Sequence, residues 1–182
     1  MRVHYESPYA AEMSWEVEAP APAVAAISER LLNRVEDLAT ELTRVIQRAE
    51  PFYSEQGVVP AEDLRASVRD NLVHILSQLS GRPLPRHEPP RVTGRRRAEQ
   101  GVPLPVILHA YRVAGKFIWT AILAEAAGDE VATTALLHAG SELWLIIDNE
   151  SGAVSDAYRD TVVERAQRLA DPQRDARRTA AW

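Results

Sequence analysis

The 182 residues suit one domain, or one domain with tails, and a hydrophobic fraction of 46% supplies enough apolar surface for a real core. The absence of cysteine excludes disulfides, thiolate metal sites and cysteine nucleophiles, and a net charge of −5 argues against a chain that binds nucleic acid as a whole. The cations are 20 Arg and one Lys, Lys116, a compositional bias that gives single arginines little weight.

Residues 1–22 are polar and end in Ala19-Pro20-Ala21-Pro22, which reads as a mobile tail with a stiff end. Tyr5, Tyr9, Met13 and Trp15 are groups that could dock it. Glu6, Glu12, Glu16 and Glu18 do not make a secretory signal. The apolar positions Val24, Ile27, Leu31, Val35, Leu38, Leu42, Val45 and Ala49 then alternate three and four apart. That spacing predicts one helix over 23–49 with a lengthwise packing seam, stopped by Pro51.

Pro60-Ala61-Glu62-Asp63 opens a second helix over 61–79, since proline is tolerated in the first turn and acids favour the positive end of the dipole. Gly81 closes it. Pro83, Pro85, Pro89 and Pro90 predict an extended connector over 82–90. Thr93 is placed to cap a short helix over 94–100, closed by Gly101.

Pro103 and Pro105 open a helix to about 127 that is apolar on most sides, which predicts the central, most buried helix. Gly128-Asp129 reads as a stop and a cap. A last helix over 130–170 is expected to bend near Ser151-Gly152. Residues 171–182, with Arg174, Arg177 and Arg178, read as a tail or the start of a linker to a missing output domain. No run is read as reaching the roughly 18 to 20 apolar residues that cross a bilayer, the longest being 143–147. The expectation is a cytoplasmic all-α bundle with no membrane partner.

Among the histidines His4, His74, His87, His109 and His138, no pair has metal-ligand spacing. His109 and His138 are the weak candidates for haem, and no metal or cofactor is expected. Asp148 and Glu150 follow an apolar segment and invite general acid–base chemistry. With no nucleophile–base set beside them, they read instead as structural ion-pair partners.

The run Arg95-Arg96-Arg97, with Arg91 before it and Arg112 beyond, offers an anionic ligand or acidic partner a surface. Interleaved aromatics and a helix-turn-helix are missing, so no direct nucleic-acid contact is expected. The competing reading is a clasp in which one of Arg95, Arg96, Arg97 or Arg112 pairs with Asp148 or Glu150. Tyr111, Phe117, Trp119 and Trp144 line a small-molecule pocket in one reading and a core or dimer interface in the other.

The segment Gly94-Arg95-Arg96-Arg97-Ala98-Glu99-Gln100-Gly101-Val102-Pro103-Leu104, then Ala110-Tyr111-Arg112-Val113 and Trp119, then Leu143-Trp144 with Asp148 and Tyr158, resembles the N-terminal domain of actinobacterial PucR-type transcriptional regulators. That domain is similar to the N-terminal region of the RsbR/RsbRD stressosome proteins. The resemblance covers 23–169 and is specific chiefly over 95–119. It implies an all-α, globin-like bundle with long antiparallel helices and no haem, which forms a homodimer as a sensory or regulatory input. It further implies a downstream DNA-binding domain in the full-length chain, and it transfers no ligand residue. A haem- or small-ligand-binding globin-type sensor and a small helical enzyme are the alternatives.

Overall fold

The computed structural model describes residues 21–55, 57–84 and 88–179. All the regular structure among them is helical: α1 (Pro22–Leu32), α2 (Val35–Ala49), α3 (Phe52–Glu55), α4 (Ala61–Ser80), α5 (Pro89–Glu99), α6 (Leu104–Ala126) and α7 (Glu130–Thr179). Tyr5, Tyr9, Met13, Trp15, His4 and His87 lie outside the described residues. So do the side chains of His138, Arg174, Arg177 and Arg178, although those residues lie within α7.

The single first helix expected over 23–49 is two. The chain breaks at Asn33-Arg34, where Arg34 leaves helical geometry at φ −114 and ψ 16. The break lets Arg30 and Arg34 both reach Glu125 near the end of α6, at 3.1 and 2.8 Å. It also re-aims the apolar seam. Val24, Ile27 and Leu31 are buried on α1, whereas α2 buries Leu38, Ala39, Leu42 and Ile46 and leaves Val45 and Ala49 outside the core. This seam packs within the subunit, chiefly on α4, and is not a free dimer surface.

Between Pro60 and Gly81, α4 forms as its end signals predict, and Gly81 takes the left-handed conformation that favours glycine, φ 73. Leu72, Ile75, Leu76 and Leu79 on α4 are almost wholly buried.

α5 begins at Pro89, earlier than expected. Pro89-Pro90 occupy the first turn, where the missing N–H has no helical partner to lose, so part of the expected connector is helix. Thr93 is therefore inside α5 and buried, not its cap. α5 packs more extensively on α7 than on any other element. The reason is Gly94: a Cβ there would stand 2.4 Å from the Val154 carbonyl oxygen of α7, so the backbones meet directly.

α6 is not the most buried helix. Ile107, Tyr111, Ile118 and Ile122 enter the core, while Val113, Phe117 and Trp119 are half-buried and Leu123 is exposed. Contrary to the sequence expectation, Leu104–Ala126 is long and apolar enough to cross a membrane by length and composition. In this fold it carries the exposed cations Arg112 and Lys116 and packs on α7, α2 and α1.

Asp129 caps α7 as predicted, its Oδ1 accepting the backbone N–H groups of Val131 and Ala132 at 3.0 Å. The helix then continues through Ser151-Gly152 without interruption and on to Thr179, beyond the expected end.

Candidate functional site

Two acids in the first turn of α4 favour its dipole, but Asp63 does more. It is buried, and it faces α5. Arg97 is among the most deeply buried side chains of the protein, 1% exposed. A buried guanidinium is tolerated only when its donors are matched. Here its Nη1 donates to Asp63 Oδ2 at 3.0 Å and to Gln100 Oε1 at 2.6 Å, and its Nη2 donates to Ser67 Oγ at 3.0 Å. Gln100 closes the ring by donating to Asp63 Oδ2 at 2.6 Å. Arg96, half-exposed, brings its Nε to 2.9 Å from the other Asp63 oxygen.

A clasp therefore exists, but not the expected one. No member of Arg95, Arg96, Arg97 and Arg112 pairs with Asp148 or Glu150. Helical phase explains this: successive residues on α5 point about 100° apart. Arg97 thus turns inward to α4, Arg96 reaches the rim and Arg95 stays exposed. Arg112 is exposed on α6, and Asp148 is exposed on α7 and forms no ion pair among the described residues.

Glu150 is buried as a paired residue, with different partners. Its Oε1 accepts from Gln78 Nε2 at 2.8 Å and stands 3.3 Å from His74 Nε2. The other ring nitrogen, Nδ1, is buried with no hydrogen-bond partner among the described residues. Burial pushes the Glu150 carboxyl above the ordinary carboxylate range, against the pull of Gln78 and His74. The sequence placed His74 inside a helix but held nothing that joins it to a carboxylate 76 positions on.

A third set links these two. Tyr111 on α6 donates to Asn71 Oδ1 at 2.7 Å, and Asn71 Nδ2 donates to Thr93 Oγ1 at 3.0 Å. Burial pushes the Tyr111 phenol well above its usual range, and the charge of Glu150 adds to this. Burial likewise pushes the Tyr53 phenol up to about 12.

Of these groups, Tyr53, Ser67, Asn71, Thr93, Arg97 and Tyr111 line a cavity of about 50 Å³ where α2, α4 and α6 meet under α3 and α5. Tyr111 lines it, as the pocket reading of the aromatics requires, but Phe117, Trp119 and Trp144 do not. Phe117 faces the groove between α2 and α6, Trp119 lies against Gly140 of α7, and Trp144 is 51% exposed beside Gly115. The aromatic set is thus scattered by helical phase and is not one pocket.

His109, the haem candidate within the described side chains, is half-exposed, meets Glu50 Oε2 through Nδ1 at 3.1 Å, and does not line the cavity. The cavity is too small for a porphyrin. His74 and Glu150 are shut off from solvent at 7% side-chain exposure each and face no nucleophile among the described residues.

The family described as the RsbT co-antagonist protein rsbRD N-terminal domain matches this chain over residues 36–173. No curated protein and no solved structure matches it. The match spans the clasp, the cavity and all of α4 to α6, and the chain belongs to this family of regulatory N-terminal domains.

Proposed function

We propose that this RsbRD N-terminal domain is a non-catalytic, cytoplasmic input module with a non-haem globin-like bundle. It forms a homodimer and hands a signal to an output domain, as the resemblance to PucR-type regulators implies. Family membership over 36–173 is the observation that carries this reading. The chemistry of the core supports it: charge is neutralised internally, and the acid and base of α4 and α7 are shut away from any substrate.

The dimer contact is assigned to α7, because the seam of α1 and α2 is consumed inside the subunit. Leu145 and Val163 are both exposed and lie five helical turns apart, so they share one face, with Trp144 and Val162 at its edge. Size-exclusion chromatography with light scattering is expected to give twice the 20.2 kDa chain mass at high micromolar concentration. Val163→Glu is expected to give monomer. Fused ahead of a DNA-binding domain that represses only as a dimer, the native chain should restore repression and Val163→Glu should not. A monomeric native chain, or equal repression by both, overturns the proposal.

A further inference from the structure

The cavity under α3 and α5 is built differently from a water site. Its wall is almost wholly apolar, from residues such as Leu42, Ile46, Leu72, Ile107 and Ile118. Of the lining residues only Ser67, Asn71 and Ala114 keep any appreciable exposure. The polar side chains at its edge turn to polar neighbours: Asn71 to Tyr111 and Thr93, Arg97 to Asp63, Gln100 and Ser67, and the Tyr53 hydroxyl to Arg97. None of the buried polar atoms left without a partner belongs to a lining residue. A buried water needs two to four polar partners, and an apolar cavity without them stays dry.

Size narrows the occupant. A cavity of about 50 Å³ is a third of the roughly 150 Å³ that takes benzene, yet several times the roughly 10 to 15 Å³ that one water needs. An ion or a strongly polar ligand would lose its hydration with nothing to replace it.

We propose that this cavity is a binding site for a small, uncharged, apolar molecule of two or three heavy atoms, of the size and chemistry of dioxygen. The molecule sits among aliphatic side chains, with Tyr111 and Thr93 forming one wall through their carbon atoms. Empty space in a packed core forfeits dispersion contacts, and an occupant restores them. That the occupant acts as the input signal rests on the regulatory reading; that it binds does not.

The test is methyl NMR of the full chain under xenon, and separately under dioxygen, against nitrogen at equal pressure. Xenon should shift the methyls of Leu42, Ile46, Leu72, Ile107 and Ile118 along saturating curves, and dioxygen should broaden the same methyls by paramagnetic relaxation. Ala110→Val and Val68→Ile each fill the cavity from a different helix. Each should abolish the saturating shifts while keeping or raising Tm. Shifts that grow linearly with pressure, shifts spread over surface methyls, or an ordered water detected in the cavity overturn the proposal. A chain that is monomeric yet shows saturating shifts overturns the dimer and leaves the ligand site standing. Saturating shifts that leave the fused reporter unchanged overturn the signal role.

Discussion

Near the start of α4 the Asp63 carboxylate meets two guanidiniums and an amide. Further along the same helix, His74 faces Glu150 with one ring nitrogen unpartnered. Both clusters are buried; the first joins α4 to the next helix, α5, and the second joins it to α7. They differ in how completely burial is compensated. Both terminal nitrogens of Arg97 meet acceptors, at 2.6 to 3.0 Å. Glu150 receives one amide hydrogen bond and one histidine contact, too few to offset desolvation, so its carboxyl holds its proton to higher pH. The lesson lies in the partners: Asp63 has two guanidiniums against it, although its Oδ1 meets Arg96 as an ion pair without a hydrogen bond, whereas Glu150 has one amide and one imidazole and its carboxyl is shifted upward.

The comparison breaks first at Arg97. Arg97→Met leaves Asp63 with the rim cation Arg96 and the Gln100 amide, and removing one partner of a buried pair costs about 3 to 5 kcal/mol. Urea unfolding followed by circular dichroism measures this, and a loss under about 1 kcal/mol would make the clasp no stronger than a surface pair.

Tyr111 stands between the clusters, bonded to Asn71 and facing the charge of Glu150. Tyr111→Phe should cost about 1 kcal/mol, one hydrogen bond with Asn71 left short of a donor. The same unfolding curves measure it.

Glu150→Gln sharpens the other side. The folded pKa of Glu150 lies above its ordinary value of 4.5, so its favourable contribution is complete below that pH and is lost as pH rises through the folded value. The native chain should therefore lose stability relative to Glu150→Gln as pH rises from 4.5. Thermal unfolding across a pH series reads this difference, and parallel curves would contradict the assignment. Arg96→Met should have the smallest effect, within about 0.5 kcal/mol, because its side chain is 53% exposed. Equal losses at Arg96 and Arg97 would show that the rim arginine shares the anchoring.

The sequence announces what is decided locally. Pro60 and Gly81 bracket α4, Pro103 precedes α6, and Asp129 caps α7, because these residues act within a turn of themselves. The break at Asn33-Arg34 has no proline or glycine to mark it, and the contact it permits is with Glu125, 91 residues from Arg34. The Arg95 to Arg97 run was legible as a charged clasp, but its partner was not. Asp63 is indistinguishable in sequence from any acid that favours a helix start, and its role comes from where α5 lands on α4. Gly94 reads as a helix boundary in one dimension and proves to be a seat for α7 in three. The cavity is invisible to periodicity, because it is the space the side chains fail to fill.

That seat makes α5 and α7 a single mechanical part. At Val154 the backbones touch, and farther along α7 Arg165 grips the Ala98 and Glu99 carbonyls at 2.8 and 3.1 Å. Sliding α7 by one residue, about 1.5 Å, would drive a side chain into a space that holds none. On either side of Gly94, Thr93 and Arg97 form part of the cavity wall. A displacement of that wall would therefore bear directly on the 50-residue α7 through the Gly94–Val154 contact.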